Sequence, residues 1–429
     1  MHIVPSRPVA RGTKVSQALR AVPRSTKGKR EGRYKSIPFT IEIGACGLNL
    51  DLIVTPLFAA GQLRIGVLFL RWAQRQRVRR GAALAALACF EFLVAAGYAS
   101  GSSPLAAYVP WRGASVFGAI IYLYLALSTC FVGVEMIVEA LGKHLGADTN
   151  HSRRRALALA GNTLMAAPLA AIGYGALIER TNFEVRELEL PLPELPGDLH
   201  GLRILQLSDI HLGVFLSERE LARMIDAACS LRPHVAFATG DFISTFGDPL
   251  EACLRQLARV KADAGMLGCL GNHERYAQAE DEATRLAART GIRLLRSEAC
   301  RLRFGNSVLN VAGVDYQPSR DRENYLRGTE QLIAPGACNL LLSHNPDVFP
   351  VAARQGYNLV LAGHTHGGQV NVEVLDQSIN PARFLTEYVQ GAYRIGTAAE
   401  YVTRGIGTVG IPARVGAPPE ITLIRLQKA

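Results

Sequence analysis

Two histidines, His364 and His366, lie two residues apart in a glycine-rich segment that directly follows a short apolar run. The run, residues 358–362, has the length and composition of a buried strand. Glycines on both sides of the pair free the backbone, so both imidazole rings can turn into one site. This arrangement indicates a metal site. A chance pair of surface histidines is the alternative, and further ligands are needed to exclude it.

Four more short apolar runs end in polar residues that could bind a metal ion. In chain order these are Asp209 and His211 after residues 205–208, Asp241 after 235–239, Asn272, His273 and Glu274 after 265–270, and His344 after 339–343. Open α/β sheets place their ligands at the carboxyl ends of strands. We therefore expect five strand ends to converge on one crevice.

These side chains combine carboxylates, imidazoles and an amide, a donor set that suits zinc, manganese or iron. The sequence contains no CxxC pair, which argues against a structural zinc knuckle. Seven candidate ligands exceed what one ion needs, so we expect two ions that share a carboxylate. Two-metal sites place their ions roughly 3.5–4 Å apart, where they hold a phosphoryl group and activate water at neutral pH.

The order of the blocks resembles that of the calcineurin-like metallophosphoesterase superfamily, over residues 201–429. The blocks are Asp209-x-His211, Gly240-Asp241, Gly271-Asn272-His273-Glu274, His344 and Gly363-His364-x-His366. The residues around these blocks are most similar to those of the membrane-associated bacterial branch. The resemblance implies Asp209, His211 and His366 as ligands of one metal, Asp241 as a bridge to both, and Asn272, His344 and His364 as ligands of the second. It further implies that His273 stabilises the transition state and protonates the leaving oxygen, and that Glu274 orients the His273 ring.

Two departures separate the sequence from other branches of this superfamily. The serine/threonine protein phosphatases carry Asp-Arg-Gly after their Gly-Asp block, where this sequence has Asp241-Phe242-Ile243. The purple acid phosphatases need a tyrosine ligand three residues after that aspartate, where this sequence has Ser244. The sequence therefore fits neither branch.

The net charge of +11 is concentrated at the amino end, where residues 1–38 hold ten Lys or Arg and only Glu31 as an acid. We expect this segment to be a disordered basic tail. It lacks interleaved aromatic residues, and the rest of the chain lacks a basic stripe. A lipid bilayer is therefore favoured as a partner over nucleic acid.

Residues 39–180 contain long apolar stretches that predict membrane spans. The stretches at 82–99, 115–141 and 156–178 are clear, whereas one within 44–70 is interrupted by Asp51 and Arg64. A soluble helix bundle is disfavoured because arginine-rich loops separate the stretches. These basic loops should stay in the cytoplasm. Three spans would then place the rest of the chain outside the inner or plasma membrane.

Residues 181–200 indicate an extended linker or an edge strand that leads to a domain at 201–429. In this domain apolar strands alternate with helical patterns at 217–230, 250–261, 277–290, 320–332 and 345–354. Ser217 and Glu220 have the spacing of a capping box. The alternation predicts an α/β fold, and the resemblance implies a four-layer αββα sandwich. Arg320 and Arg322 could contact a phosphate, although a solvated loop face is the commoner arrangement.

These features predict a membrane-anchored, dinuclear phosphoesterase that hydrolyses phosphodiester or pyrophosphate bonds. A lipid-linked substrate is favoured because the domain begins about 20 residues after the last span and so must stay near the bilayer. Phospholipids fit, and the resemblance implies a UDP-diacylglucosamine-type glycolipid precursor as a further candidate. The alternatives are a phosphomonoesterase acting on a soluble substrate and a non-catalytic, metal-dependent membrane sensor. The His273-Glu274 pair disfavours the sensor, because binding alone needs no proton donor.

Overall fold

A computed structural model describes residues 42–43, 48–102, 112–144, 170, 173–374 and 377–429 of the chain. The predicted basic tail at residues 1–38 and most of the predicted span at 156–178 lie outside these residues. All elements described below belong to one compact unit, residues 36–429.

Three long helices precede the sheets: α1 (Leu50–Arg75), α2 (Arg80–Ser102) and α3 (Arg112–His144). Each contains a stretch long and apolar enough to cross a membrane, namely Val54–Arg75, Arg80–Ala99 and Ile120–Ile137. Helices α2 and α3 lie at the predicted stretches 82–99 and 115–141. Helix α1 covers most of residues 44–70, the stretch whose assignment as a membrane span the sequence did not settle.

Ion pairs between α1 and α3 explain how α1 can hold a charge among apolar residues. Arg64 Nη2 lies 2.7 Å from Glu135 Oε1 and 2.9 Å from Glu139 Oε2. Two residues before Arg64, Gln62 donates a hydrogen bond to Ser128 at 2.9 Å. A charged residue within a span is costly unless it is paired. Arg64 is therefore compatible with a membrane helix because α3 supplies its counter-charges.

Twelve strands after the helices form two six-stranded mixed sheets, and Val372–Val374 pairs antiparallel with Gln377–Ile379 in a separate two-stranded sheet. In chain order the strands are β1 (Glu184–Leu192), β2 (Arg203–Leu207), β3 (Val235–Thr239), β4 (Met266–Cys269), β5 (Ile292–Leu294), β6 (Glu298–Phe304), β7 (Ser307–Gly313), β8 (Cys338–Leu342), β9 (Leu359–Ala362), β10 (Gly391–Ile395), β11 (Ala398–Val402) and β12 (Glu420–Lys428). The first sheet has the order β1-β12-β2-β3-β4-β5, and the second has the order β10-β11-β9-β8-β7-β6. Strands β2, β3 and β4 run parallel to one another, as do β7, β8 and β9.

The two sheets pack face to face, and helices cover the outer faces. The helices of the domain are α4 (Glu218–Ser230), α5 (Leu250–Leu257), α6 (Asn272–Tyr276), α7 (Glu280–Arg289) and α8 (Phe349–Gln355). Ile204 and Phe237 of the first sheet share a buried core with Leu340 of the second. Their strand neighbours point the other way, as alternation requires: Leu205 packs with α4, and Leu341 packs with α8. The predicted αββα sandwich is confirmed.

The predicted capping box at the start of α4 is present, since Ser217 and Glu220 exchange side-chain and backbone hydrogen bonds. The helix predicted at 320–332 is wrong: two short 3-10 turns, Ser319–Asn324 and Thr329–Leu332, occupy this stretch. Gly328 between them has φ 80°, a left-handed conformation that ends a helix.

Of the two interpretations of residues 181–200, the structure has the edge strand. Strand β1 pairs in parallel with β12 from Glu184–Glu420 to Leu192–Lys428. The sheet of the domain therefore begins before residue 201.

Candidate metal centre

The predicted site residues lie where five strands end, after β2, β3, β4, β8 and β9. Five of them have left-handed backbone conformations: Asp209, His211, Asp241, His364 and His366, with φ between 49° and 75°. This conformation is uncommon for residues other than glycine, although Asp and His tolerate it better than most. Backbone strain of this kind clusters at functional sites. Here it turns each side chain sharply from its strand end toward a common centre.

Two glycines leave room for the carboxylates of the site. A Cβ atom on Gly271 would lie 2.1 Å from Asp241 Oδ1, and one on Gly363 would lie 2.2 Å from Asp209 Oδ2. These distances are far below van der Waals contact, so neither position can carry a side chain while the carboxylate stays in place. The glycines of the motifs are therefore explained by the close approach of neighbouring strand ends.

The first ligand group consists of Asp209, His211 and His366, all buried, with one donor atom each within 4.8 Å of the others. His211 Nε2 lies 3.1 Å from His366 Nε2, and His366 Nε2 lies 3.4 Å from Asp209 Oδ1. Burial lowers the pKa of both His211 and His366 well below the ordinary value, so both rings are neutral. Neutral imidazoles are the form that coordinates a metal ion.

The second ligand group consists of Asp241, His344 and His364, again with donor atoms within 4.8 Å of one another. His344 Nδ1 lies 2.7 Å from the main-chain carbonyl oxygen of Thr239. A carbonyl can only accept, so Nδ1 carries a hydrogen and Nε2 is the atom that faces Asp241 Oδ2, at 3.1 Å. Although burial lowers it, the charges of Asp241 and Asp209 raise the pKa of His344 to about 10, and a cation bound at Nε2 would replace the proton there. Asn272 Oδ1 is buried and has no hydrogen-bond partner within the described residues.

The Asp241 carboxylate connects the two groups. Its Oδ2 atom lies 3.4 Å from His211 Nε2 in the first group and 3.1 Å from His344 Nε2 in the second. Asp241 therefore occupies the position that a shared ligand needs.

The electrostatics of the site fit divalent cations. Asp209 and Asp241 are both buried, and burial, together with the nearby Asp241 charge, raises the pKa of Asp209 to about 6. Isolated buried carboxylates are expensive to ionise, and a bound cation reverses this penalty. A bound cation would likewise provide a partner for the unpartnered Asn272 oxygen and for the imidazole nitrogens that face the site. Six of the seven predicted ligands come together in the two groups, and the seventh, Asn272, follows Gly271, which closely approaches Asp241.

His273 lies beside the first group, partly exposed. Its ring centroid is 4.6 Å from that of His211, and its Nδ1 is 2.6 Å from the main-chain oxygen of Ser244. Its backbone N–H donates to Asp241 Oδ1 at 2.9 Å. One ring nitrogen of His273 also lies within 4.8 Å of the metal-binding atoms of His211 and Asp241. His273 therefore reaches both the ligand groups and the opening of the site.

Glu274 does not have the expected place beside the His273 ring. Its buried carboxylate accepts hydrogen bonds from the backbone N–H groups of Gly271 and Asp241, both at 2.9 Å, and of Phe242 at 2.8 Å. The Ser244 carbonyl instead orients the imidazole. Glu274 holds together the loops that follow β3 and β4, and so it positions Asp241 rather than His273.

Two residues next to the site lie outside the motifs that the sequence singled out. Arg414 is completely buried, and its guanidinium donates to the main-chain oxygens of Gly407 and Ala417, with Nη2 3.3 Å from His366 Nδ1. Tyr316 is buried, and its ring centroid is 5.6 Å from that of His364. Neither belongs to a block of metal-binding residues. A lone arginine within the glycine-rich stretch 405–416 was the only available indication for Arg414.

Known proteins with similar sequences share the domain. A family model for calcineurin-like phosphoesterases matches residues 202–368. A protein named transmembrane protein with metallophosphoesterase domain, from Danio rerio, is 29% identical over 313 residues, which cover 70% of this chain and 70% of that protein. The Bos taurus protein of that name is 27% identical over 420 residues, covering 89% and 90%. Phosphodiesterase YaeI of Escherichia coli is 29% identical over 297 residues, covering 64% and 99%.

The fold, the converging ligand groups and the sequence match all indicate a calcineurin-like metallophosphoesterase domain. Residues 202–368 match the family over the stretch that contains every predicted ligand, from Asp209 to His366. The chain carries a calcineurin-like metallophosphoesterase domain and is a metallophosphoesterase, with relatives that are named transmembrane proteins.

Proposed function

We propose that this protein is a membrane-anchored phosphoesterase that uses two divalent metal ions to hydrolyse phosphodiester or pyrophosphate bonds of a lipid-linked substrate. The observation that carries the dinuclear site is the position of Asp241 Oδ2, 3.4 Å from His211 Nε2 and 3.1 Å from His344 Nε2. One carboxylate oxygen within reach of two separate ligand groups is the arrangement of a shared ligand.

In this proposal the two ligand groups hold one ion each, and Asp241 is shared. Asp209, His211 and His366 would hold one ion, Asn272, His344 and His364 the other, and Asp241 both. When bound, such ions polarise a phosphoryl group and lower the pKa of water. The identity of the metal is open among manganese, zinc and iron, since the donor set suits all three.

His273 supplies the proton transfer in this proposal. The Ser244 carbonyl accepts a hydrogen bond from Nδ1 at 2.6 Å, which leaves Nε2 as the atom that exchanges a proton. The protonated ring can donate from Nε2 to the leaving oxygen, and its charge stabilises the transition state beside the buried Asp241. The backbone hydrogen bond from His273 to Asp241 fixes the distance between the proton donor and the ligand groups.

Exposed apolar side chains at the rim of the site support a lipid-linked substrate. Val214 and Phe246, 48% and 63% exposed, lie in the loops that follow His211 and Asp241. Phe384, 87% exposed, ends the 3-10 turn Pro381–Phe384, and Asn380 before this turn donates to the Gly367 carbonyl beside His366 at 2.8 Å. Large exposed aromatic residues are uncommon on soluble surfaces unless they contact a membrane or a partner. Aromatic side chains favour the interface between lipid and water.

The connection to the apolar helices reaches the domain at the same edge. Gly175 accepts a hydrogen bond from the backbone of Arg414 at 3.2 Å, and Arg180 donates to the main-chain oxygen of Phe215. Arg414 contacts His366, and Phe215 follows His211 in the chain. The segment that arrives from the helices therefore contacts the loops of the site, which favours a site close to the bilayer.

The test uses the full chain in nanodiscs. We expect a phospholipid phosphodiester to be cleaved with a higher kcat/KM than its water-soluble head-group analogue, because confinement to a surface raises the effective concentration. Phe246→Ser with Phe384→Ser should reduce this advantage by about tenfold or more, since each aromatic residue contributes burial energy. Ile395→Ser is the matched control, because Ile395 is 39% exposed but pairs with Ala398 at the opposite end of β11.

Equal cleavage of the lipid and its soluble analogue would contradict the lipid-linked substrate and would favour the soluble phosphomonoesterase once a monoester proved the better substrate. Metal binding without hydrolysis of any diester, pyrophosphate or monoester would favour the membrane sensor.

A further inference from the structure

An open cleft of about 440 Å³ lies next to the ligand groups. It is lined by Arg275, Tyr316, Gln317, Pro318, Arg320 and Asp321. The Tyr316 ring forms its link to the metal site, with its centroid 5.6 Å from that of His364 and 6.1 Å from that of His344. Arg275, two residues after His273 in α6, also lines the cleft. A molecule bound at the ligand groups would therefore extend directly into this cleft.

The two arginines of the cleft differ from their neighbours in having no counter-ion. Arg322 is paired with Asp347 at 2.8 Å, and Arg296 is paired with Asp281 at 2.7 Å and with Asp315 at 2.9 Å. Arg275 and Arg320 form no ion pair in the part of the chain that the structure describes, and both are exposed. Asp321, the one acid of the lining, accepts a hydrogen bond from Asn324 at 2.6 Å.

The residues that line the cleft next to Arg320 are held in place. Tyr316 is buried, and the Gln317 side chain is fixed because its amide donates to the Asp315 carbonyl at 2.9 Å and its oxygen accepts from the Leu326 N–H at 3.2 Å. Pro318 restricts the backbone before Arg320. The cleft thus presents the unpaired guanidinium of Arg320 beside a fixed wall and that of Arg275 from α6, and guanidinium groups bind phosphate with paired hydrogen bonds.

We propose that Arg275 and Arg320 bind a second phosphate of the substrate, one that is not cleaved, while the scissile phosphate lies at the ligand groups. The inference rests on the proposed function and makes it more specific. The preferred substrate carries two phosphates, as a pyrophosphate-linked or phosphorylated head group does. The arginine that the sequence left open, Arg320, thereby receives a role, whereas Arg322 is occupied by Asp347.

The experiment compares two diesters that differ only in a pendant phosphate, thymidine 5′-(p-nitrophenyl phosphate) with and without a 3′-phosphate. The readout is the ratio of their kcat/KM values on the full-length, metal-loaded protein. We expect the phosphorylated diester to be preferred about 10–100-fold, the usual effect of hydrogen bonds between charged groups. In the double variant Arg275→Gln, Arg320→Gln, we expect the ratio to fall toward one, mainly through the KM of the phosphorylated diester.

Arg327→Gln is the matched control, since Arg327 is an exposed arginine of the same segment that does not line the cleft. It should keep the wild-type ratio. A ratio near one in the wild type, or a ratio unchanged in the double variant, would overturn the inference while hydrolysis of both diesters left the proposed function intact. Hydrolysis of neither diester by the metal-loaded wild type would count against the proposed function, and the inference would fall with it.

Discussion

His273 and Glu274 are adjacent in α6, yet their side chains have different surroundings and different roles. His273 is partly exposed and contacts the edge of the ligand groups, whereas Glu274 is fully buried and accepts from four backbone N–H groups. The types and spacing of the residues were sufficient to predict which strand ends converge, because each candidate ligand follows a strand of one of the two facing sheets. They could not predict the partners of Glu274, since Asp241 and Phe242 lie 33 and 32 residues earlier in the chain.

His273→Ala should separate proton transfer from metal binding. We expect the variant to keep its metal and to lose turnover by about 10²–10⁴-fold, because the leaving oxygen loses its proton donor. Glu274→Gln is the contrasting change, since it weakens the loop that carries Asp241 and should lower metal content and thermal stability together. Metal analysis and kcat on the same preparations check this. Loss of metal in His273→Ala would make His273 a ligand instead.

At the scale of elements, the prediction succeeded for a local pattern, stayed open where distant residues decided, and failed where a glycine interrupts a helical pattern. The capping box of α4 needs only four residues, and it is present. The doubt about α1 arose from Arg64, whose partners Glu135 and Glu139 lie 71 and 75 residues away. The stretch 320–332 was assigned to a helix by its polarity pattern, although Gly328 interrupts it with a left-handed turn.

Strand β11 carries a buried acid that should make stability depend on pH. Both Glu400 carboxylate oxygens lack hydrogen-bond partners in the described residues, and burial, with the nearby Asp347, raises the Glu400 pKa well above 4.5. The folded state therefore keeps the proton that the unfolded chain releases, and stability falls as the pH rises above about 4.5. Glu400→Gln removes this loss.

We therefore expect Glu400→Gln to be more stable than the wild type at pH 8, on the order of 1–3 kcal/mol, with the difference shrinking toward pH 5. Urea unfolding of the metal-loaded protein at both pH values measures this. A variant that is less stable than the wild type at pH 8 would show that the carboxylate is ionised and paired in the folded state.

At the scale of the whole molecule, apolar helices and a metallophosphoesterase sandwich lie in one chain. The layers of the sandwich were predicted through the resemblance, since the strand and helix alternation alone indicates only an α/β fold. The side of the membrane rests on the basic residues between α1 and α2 and around 143–155, together with the predicted span at 156–178, most of which lies outside the described residues.

We propose that the catalytic domain is extracytoplasmic, and reporter fusions test this directly. Fusions after residue 180 should be active only with a reporter that works outside the cytoplasm, whereas fusions near Arg77 or Arg154 should be active only with a cytoplasmic reporter, because basic loops stay inside. A cytoplasmic signal after residue 180 would mean that the stretch 156–178 does not cross.

The central claim is that one carboxylate holds two metal ions, and metal content measures it most directly. We predict two divalent ions per chain in the purified full-length protein, and loss of both in Asp241→Asn, because Asp241 Oδ2 reaches both ligand groups. His366→Ala, which alters only the first group, should retain one. A single ion per chain in the wild type, or two ions retained in Asp241→Asn, would contradict the account.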